Sequence, residues 1–218
     1  MTETSYLHSV RASYDAVAVD CARLAGPAMA ARPLDRAMLA AFAECVRGGG
    51  GGGAVADLGC GPGRVTAHLD GLGVRTFGVD LSPAMVAVAR RSHPGLRFEV
   101  GSMAALDVAD GVLGGVVAWN STVHAPPGEL PAVFAEFARV LAPGGYALVA
   151  FEAGEGRRRL EHAYGHPVDL DVHRTPPALI ADLLTGAGLP ETARLTREPT
   201  SDEGSPQAFL LARKPPAG

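Results

Sequence analysis

Three glycines spaced by single residues, Gly59, Gly61 and Gly63, lie inside the stretch VADLGCGPGRVTAHL, residues 55–69. The stretch opens apolar, passes Asp57, and ends amphipathic, which predicts a strand, a glycine turn and the start of a helix. Backbone without Cβ atoms takes up positive φ and lets a ligand come close to the main chain. The free N–H groups at a helix N-terminus favour anions and hydrogen-bond acceptors. The pattern departs from the dinucleotide fingerprint G-x-G-x-x-G, because the third glycine would fall where Arg64 stands. That weakens a pyrophosphate site and favours a different nucleoside-like ligand. Further along, Asp80 closes a second apolar run, VRTFGVD. A carboxylate at that strand end can accept hydrogen bonds from the two hydroxyls of a ribose. Capping the next helix is its alternative role, but Ser82, followed by Pro83, already supplies an N-cap there.

The elements that must position these residues follow from periodicity. Residues 4–47 read as helices. Ser5 is placed to cap the first, Gly26–Pro27 to end it, and PLDRAMLAAFAECVRG forms the second. The run Gly48–Gly53 is a loop. From Ala54 short apolar runs alternate with amphipathic ones, ending in LGGVVAWN, a helix over GELPAVFAEFARVLAPGG, and YALVAFEA. Such alternation predicts a parallel sheet with helices on both faces. In the tail, HPVDLDVHR reads as an extra strand or flap, TPPALIADLLTGAG as a helix capped by Thr175, and ARLTREP with QAFLLARKP as an antiparallel hairpin. The expected fold class is α/β. It is a Rossmann-like, doubly wound, seven-stranded and mostly parallel sheet with an antiparallel C-terminal strand and an N-terminal helical cover. One domain is expected over 1–218, with a helical lid at 1–47, a cofactor-binding core at 54–152, and a substrate-side segment with the closing hairpin at 153–218.

Three stretches, VADLGCGPGRVTAHL, FGVDLSPAMVAVAR and FARVLAPGGYALVAF, resemble the successive motifs of the class I S-adenosylmethionine-dependent methyltransferases. The resemblance covers about residues 54–152, and within the family it is similar to small bacterial enzymes that methylate metabolites. It implies S-adenosyl-L-methionine as cofactor, S-adenosyl-L-homocysteine as product, and a small-molecule acceptor. It implies that Asp57 and the backbone of Gly59–Gly63 hold the methionine part, that Asp80 binds the ribose, and that Leu81 lies against the adenine. Ser102 and Met103 flank the adenine on its other side. Many relatives carry aspartate where Ser102 stands, and serine is the weaker acceptor. Met85 reads first as core and second as an adenine contact. Trp119 and Asn120 reach the amino-acid moiety and the acceptor, and Tyr14 is a lid contact.

Ligands on open parallel sheets bind beyond the strands' carboxyl ends, so these residues should converge. His124, just past the fourth strand, is the candidate general base, with an ordinary pKa near 6.5; shaping the pocket is its other role. His173 with Arg174 could hold an anionic acceptor, or form a solvated strand face. No metal-ligand set and no C-x-x-C occurs, and Cys60 reads as a small residue in the turn. The net charge of −4 comes with no basic face, which argues against nucleic acid. No apolar run approaches the roughly 18 residues of a membrane span, and the N-terminus has no basic and apolar leader. A cytoplasmic protein is expected. A macromolecule methyltransferase and a non-catalytic cofactor-binding protein remain open beside the small-molecule enzyme.

Overall fold

The computed structural model describes residues 5–24, 32–49, 53–201 and 203–218. The element order is α1 (Ser5–Leu24), α2 (Pro33–Gly48), β1 (Val55–Leu58), α3 (Arg64–Gly71), β2 (Thr76–Asp80), α4 (Pro83–Ser92), β3 (Arg97–Val100) and β4 (Leu113–Trp119). It continues with a 3-10 turn (Thr122–His124), α5 (Leu130–Val140), β5 (Leu141–Glu152), β6 (Arg157–Ala163), β7 (His166–His173), α6 (Pro177–Gly186), β8 (Glu191–Arg197) and β9 (Gln207–Arg213). Seven strands form one sheet in the order β3-β2-β1-β4-β5-β9-β8. All neighbours are parallel except across β9, which runs antiparallel to β5 and β8. This is the doubly wound sheet that the alternation predicts.

The central strands β1, β4 and β9 are largely apolar and buried because both sheet faces are covered there, whereas the edge strands β3 and β8 are polar and partly exposed. β1 is buried along its whole length. On one face Phe134, Phe137 and Val133 of α5 pack with Ile180 and Leu184 of α6. On the other, Leu39, Phe42 and Val46 of α2 join Leu69 of α3. The carboxyl ends of β1, β2 and β4 therefore open onto one edge, where the glycine turn, Asp80 and Trp119 meet.

Over that edge lie α1 and a separate two-stranded sheet of β6 and β7. Helix α1 is fastened to α4 by Asp15, whose Oδ1 accepts from Ser82 Oγ at 2.5 Å and Ala84 N at 3.1 Å. The hairpin is fastened to α1 in turn, with Asp169 N donating to Ser13 Oγ at 3.0 Å and His166 Nε2 at 2.8 Å from Asp20 Oδ2. Because Asp15 satisfies helix-start groups of another element, Asp15→Ala should cost about 1–2 kcal/mol. Urea unfolding checks this, and an unchanged midpoint would mean that α1 docks without it.

Three expectations need amendment. The strand β6 was not anticipated, because its three consecutive arginines hide any alternation. They become a strand by facing acids on β7: Arg157 reaches Asp171 at 3.1 Å, and Arg159 pairs with Asp169. β5 begins at Leu141 rather than after Gly145, with a register break between Leu113 and Gly115 on its neighbour. Thr175 does not cap α6. It is drawn into a bridge with Ala153, leaving Pro176 before the helix. Ser82 caps α4 as expected, accepting from Met85 N at 3.0 Å, whereas Gly26–Pro27 lie outside the described residues. Among the described residues no helix is long and apolar enough to cross a membrane.

Candidate active site

The glycine turn is shaped by its neighbours. Gly59 and Gly61 have φ of 70° and 53°, conformations open to glycine at little cost. Gly59 N and Cys60 N both donate to Val79 O, at 2.8 and 3.1 Å, which ties the turn to the end of β2. Gly63, at φ 85°, precedes α3 and lies against Phe98, so its role is packing; it does not line the cavity.

Beside this turn is a cavity of about 550 Å³. Tyr14, Asp57, Gly59, Gly61, Asp80, Leu81, Met85, Ser102, Met103, Trp119, Asn120 and His124 all line it. His173 and Arg174 line neither this cavity nor the smaller one that adjoins it. His173 sits at the open end of the hairpin opposite Arg157, and the Arg174 side chain lies over Gly154 and Gly156. The cavity wall also includes residues the sequence reading missed: Arg32, Arg64, Ser121 and Tyr164. Tyr164 had a partial signal, since Tyr-Gly directly before the alternating run HPVDLDVHR suits a two-residue hairpin turn. Its φ of 51° is unusual for a bulky residue and turns the ring into the cavity.

Two carboxylates dominate the electrostatics. Asp57 is only 1% exposed. Its Oδ2 accepts from Thr66 Oγ1 at 2.6 Å, while its Oδ1 is buried with no hydrogen-bond partner among the described residues. Burial pushes its pKa up to about 7. A buried acceptor left unpaired is costly, and an ammonium group placed there would satisfy it. Asp80 accepts from Gly61 N and Ser82 N, each at 2.8 Å, and burial raises its pKa. The two N–H groups hold its carboxylate at the cavity wall. Asp80→Ala should therefore weaken binding of an adenosyl ligand by about 1–2 kcal/mol, the share of its hydrogen bonding not already met by backbone. Calorimetry with S-adenosylhomocysteine measures this. Leu81, Met85, Met103 and Ala104 supply an apolar slot beyond it.

Deeper in, His124 is 8% exposed and held at both ring nitrogens. Nδ1 is 2.8 Å from the main-chain oxygen of Asp171, and Nε2 is 2.7 Å from the Tyr14 hydroxyl. Burial lowers its pKa, so the ring is neutral at neutral pH. Asn120, at φ 53°, stands beside it at the end of β4. Burial also lifts the Cys60 thiol well above its ordinary pKa, which leaves it inert as a nucleophile.

Residues 55–145 match the model of a methyltransferase domain. The chain is 30% identical over 108 residues to the malonyl-[acyl-carrier protein] O-methyltransferase of Serratia marcescens, covering 50% of this chain and 42% of that one. It is 52% identical over 46 residues to the trans-aconitate 2-methyltransferase of Escherichia coli, covering 20% and 18%. The chain thus spans less than half the length of these curated relatives. Among solved structures it resembles the Burkholderia thailandensis 1,6-didemethyltoxoflavin-N1-methyltransferase, crystallised with 1,6-didemethyltoxoflavin and S-adenosylhomocysteine. The TM-score is 0.71 at 21% identity, covering 99% of this chain and 91% of that one. A methyltransferase from Methanosarcina mazei matches with a TM-score of 0.67 at 20% identity, covering 75% and 93%.

Proposed function

We propose, from the premise that this chain carries a class I S-adenosylmethionine-dependent methyltransferase domain, that it transfers the methyl group of S-adenosylmethionine to a small-molecule acceptor. The observation that carries this reading is the pairing of two cavities. The second, of about 250 Å³, shares Tyr14, Arg32, Asn120 and His124 with the first. One chamber suits an adenosyl amino acid, the other a compact acceptor, and the shared wall is where the two would meet.

The residues present fit the cofactor. Asp57 Oδ1 would take its ammonium, the bare backbone at Gly59 and Gly61 would admit its amino-acid chain, Asp80 would take its ribose, and Leu81 with Met103 would sandwich its base. Bound there, it supplies an electrophilic methyl group on sulfur. The chain contributes position and the exclusion of water. Holding two reactants in line lowers the barrier by up to about 7–11 kcal/mol, and α1 with the β6–β7 hairpin covers the chamber. His124, neutral and buried on the shared wall, is the base at hand, reached by the acceptor's proton by way of the Tyr14 hydroxyl bonded to it.

Incubating the full chain with S-adenosylmethionine carrying a labelled methyl group and a metabolite extract tests the reading. Label is expected in a product below about a kilodalton, identified by mass, because the shared wall adjoins a chamber too small for a polymer side chain and its backbone. Label found only in protein or RNA would overturn the acceptor class. Tight S-adenosylhomocysteine binding with no transfer to any fraction would overturn catalysis.

A further inference from the structure

We infer that the acceptor presents its reactive atom as a hydroxyl group, and that the Tyr14 hydroxyl, backed by His124, takes the proton of that group; the inference rests on the methyl-transfer reading above. Tyr14 and His124 both line both cavities, so the pair stands where donor and acceptor would meet.

The hydrogen bonds fix the direction in which a proton can travel. The main-chain oxygen of Asp171 can only accept, so the proton of the neutral imidazole sits on Nδ1, 2.8 Å away. Nε2 is then an acceptor, and the Tyr14 hydroxyl at 2.7 Å must donate to it. His124 therefore has no nitrogen left to offer an acceptor directly. Tyr14 oxygen retains lone pairs, and an incoming hydroxyl can donate to one of them. His124 is thus the positioning residue, and Tyr14 is the one that touches substrate.

The same wall argues against a carboxylate acceptor. A carboxylate is already ionised at neutral pH and needs no base, but it needs a cation. Of the second cavity's two arginines, Arg32 lies 3.4 Å from Glu203 and Arg158 lies 3.2 Å from Glu152, and both glutamates line the same cavity. Glu203 is further held by Arg197, which also binds Asp35. The charges there cancel within the protein.

The step balances as follows in atoms and charge. The acceptor's O–H proton passes to Tyr14 oxygen as the Tyr14 proton passes to His124 Nε2. The pair left on the acceptor oxygen forms its bond to the methyl carbon. The carbon–sulfur bond breaks and its pair returns to sulfur, cancelling the sulfonium charge, and the positive charge ends on the imidazolium. Facing His124 are Tyr14 from α1, Glu152 from β5, and Asp171 and His173 from β7. Glu152 and Asp171 favour the imidazolium and His173 opposes it, but burial outweighs them and holds the ring below its ordinary pKa. The rate should accordingly be level through neutral pH and fall only on the acid side.

Three measurements on the full chain test this. With histidine labelled in ¹⁵N and S-adenosylhomocysteine added, NMR should find His124 protonated on Nδ1, with the Nε2 resonance moving in Tyr14→Phe. A proton on Nε2 would overturn the relay, since that nitrogen could then take no other. In the extract experiment, the labelled methyl group should resist alkali, as an ether does. Label released as methanol marks an ester, and label on nitrogen marks an amine; either overturns the hydroxyl assignment while leaving methyl transfer intact. Label in no product overturns methyl transfer itself. With the labelled compound as substrate and S-adenosylmethionine saturating, Tyr14→Phe should lower kcat by about 10²–10⁴-fold and remove the acid limb of the kcat profile, with cofactor affinity kept. A variant with the parent's kcat and pH profile would show that the acceptor's proton leaves by another route.

Discussion

S-adenosylmethionine is expected to bind about tenfold more weakly for each pH unit below 7, with about one proton released on binding in that range. The cause is Asp57. Its carboxyl is buried at the end of β1, one oxygen met by Thr66 and the other by nothing. Burial penalises its charged form, and the pKa rises to about 7. An ammonium group set against Oδ1 reverses that penalty and requires the carboxylate form. Between pH 5 and 7 the ammonium stays charged, so the pH dependence belongs to the protein. Calorimetry in buffers of different ionisation enthalpy counts the released proton. Asp57→Asn should bind about 1.5–3 kcal/mol more weakly at pH 7.5 and lose most of the pH dependence. The unliganded protein should behave in the opposite sense. A carboxyl whose folded pKa lies above its unfolded one stabilises the fold at low pH, and this is lost as pH rises from about 4 through about 7. Asp57→Asn should therefore melt higher than the parent at pH 8 and lose most of that advantage by pH 5 and the rest by about pH 4. Binding of equal strength at pH 5 and pH 8 would remove Asp57 from the ammonium site.

Gly59→Ala should cost about 2–5 kcal/mol of stability, with cofactor binding lost. A Cβ at residue 59 would lie 2.3 Å from Ser121 Cβ. Ser121 cannot retreat freely, because its hydroxyl donates to Leu58 O at 2.6 Å. Overpacking costs about 1–3 kcal/mol, and the left-handed backbone adds about 1–2 kcal/mol for any residue with a Cβ. For a chain of this length that is a fall in Tm of roughly 5–15 °C. Gly61→Ala is the matched control. A Cβ there meets nothing within 4 Å, so only the backbone term of about 1–2 kcal/mol applies, while the added methyl borders the cofactor cavity. Equal melting of the two variants would mean that the turn can move away from Ser121.

Much of this protein is legible along the chain. The alternation of apolar and amphipathic runs determines a parallel sheet, because only strands covered on both faces can be buried along their whole length, as β1 is. The glycine turn and Asp80 are legible for a similar reason. Each sits at a strand end, and the order of strands alone sends those ends to one edge. Even the cap of α4 is local, set by Ser82 and Pro83 within one turn.

What the chain order hides is everything that depends on the second layer. The β6 arginines look like an isolated basic cluster until Asp169 and Asp171 stand opposite them across the hairpin. His173 and Arg174 share a segment with pocket residues, yet neither lines a cavity, and Tyr164 at the hairpin's tip enters instead. Tyr14 and His124, 110 residues apart, meet at 2.7 Å because α1 docks through Asp15 and the hairpin offers the Asp171 carbonyl. Sequence determines what is settled by period and by neighbours a turn away. The tertiary structure alone decides which nitrogen of His124 holds its proton, which oxygen of Asp57 goes unpaired, and which arginines are already spent on glutamates. Those facts are set by burial and by partners brought together only when the layers close.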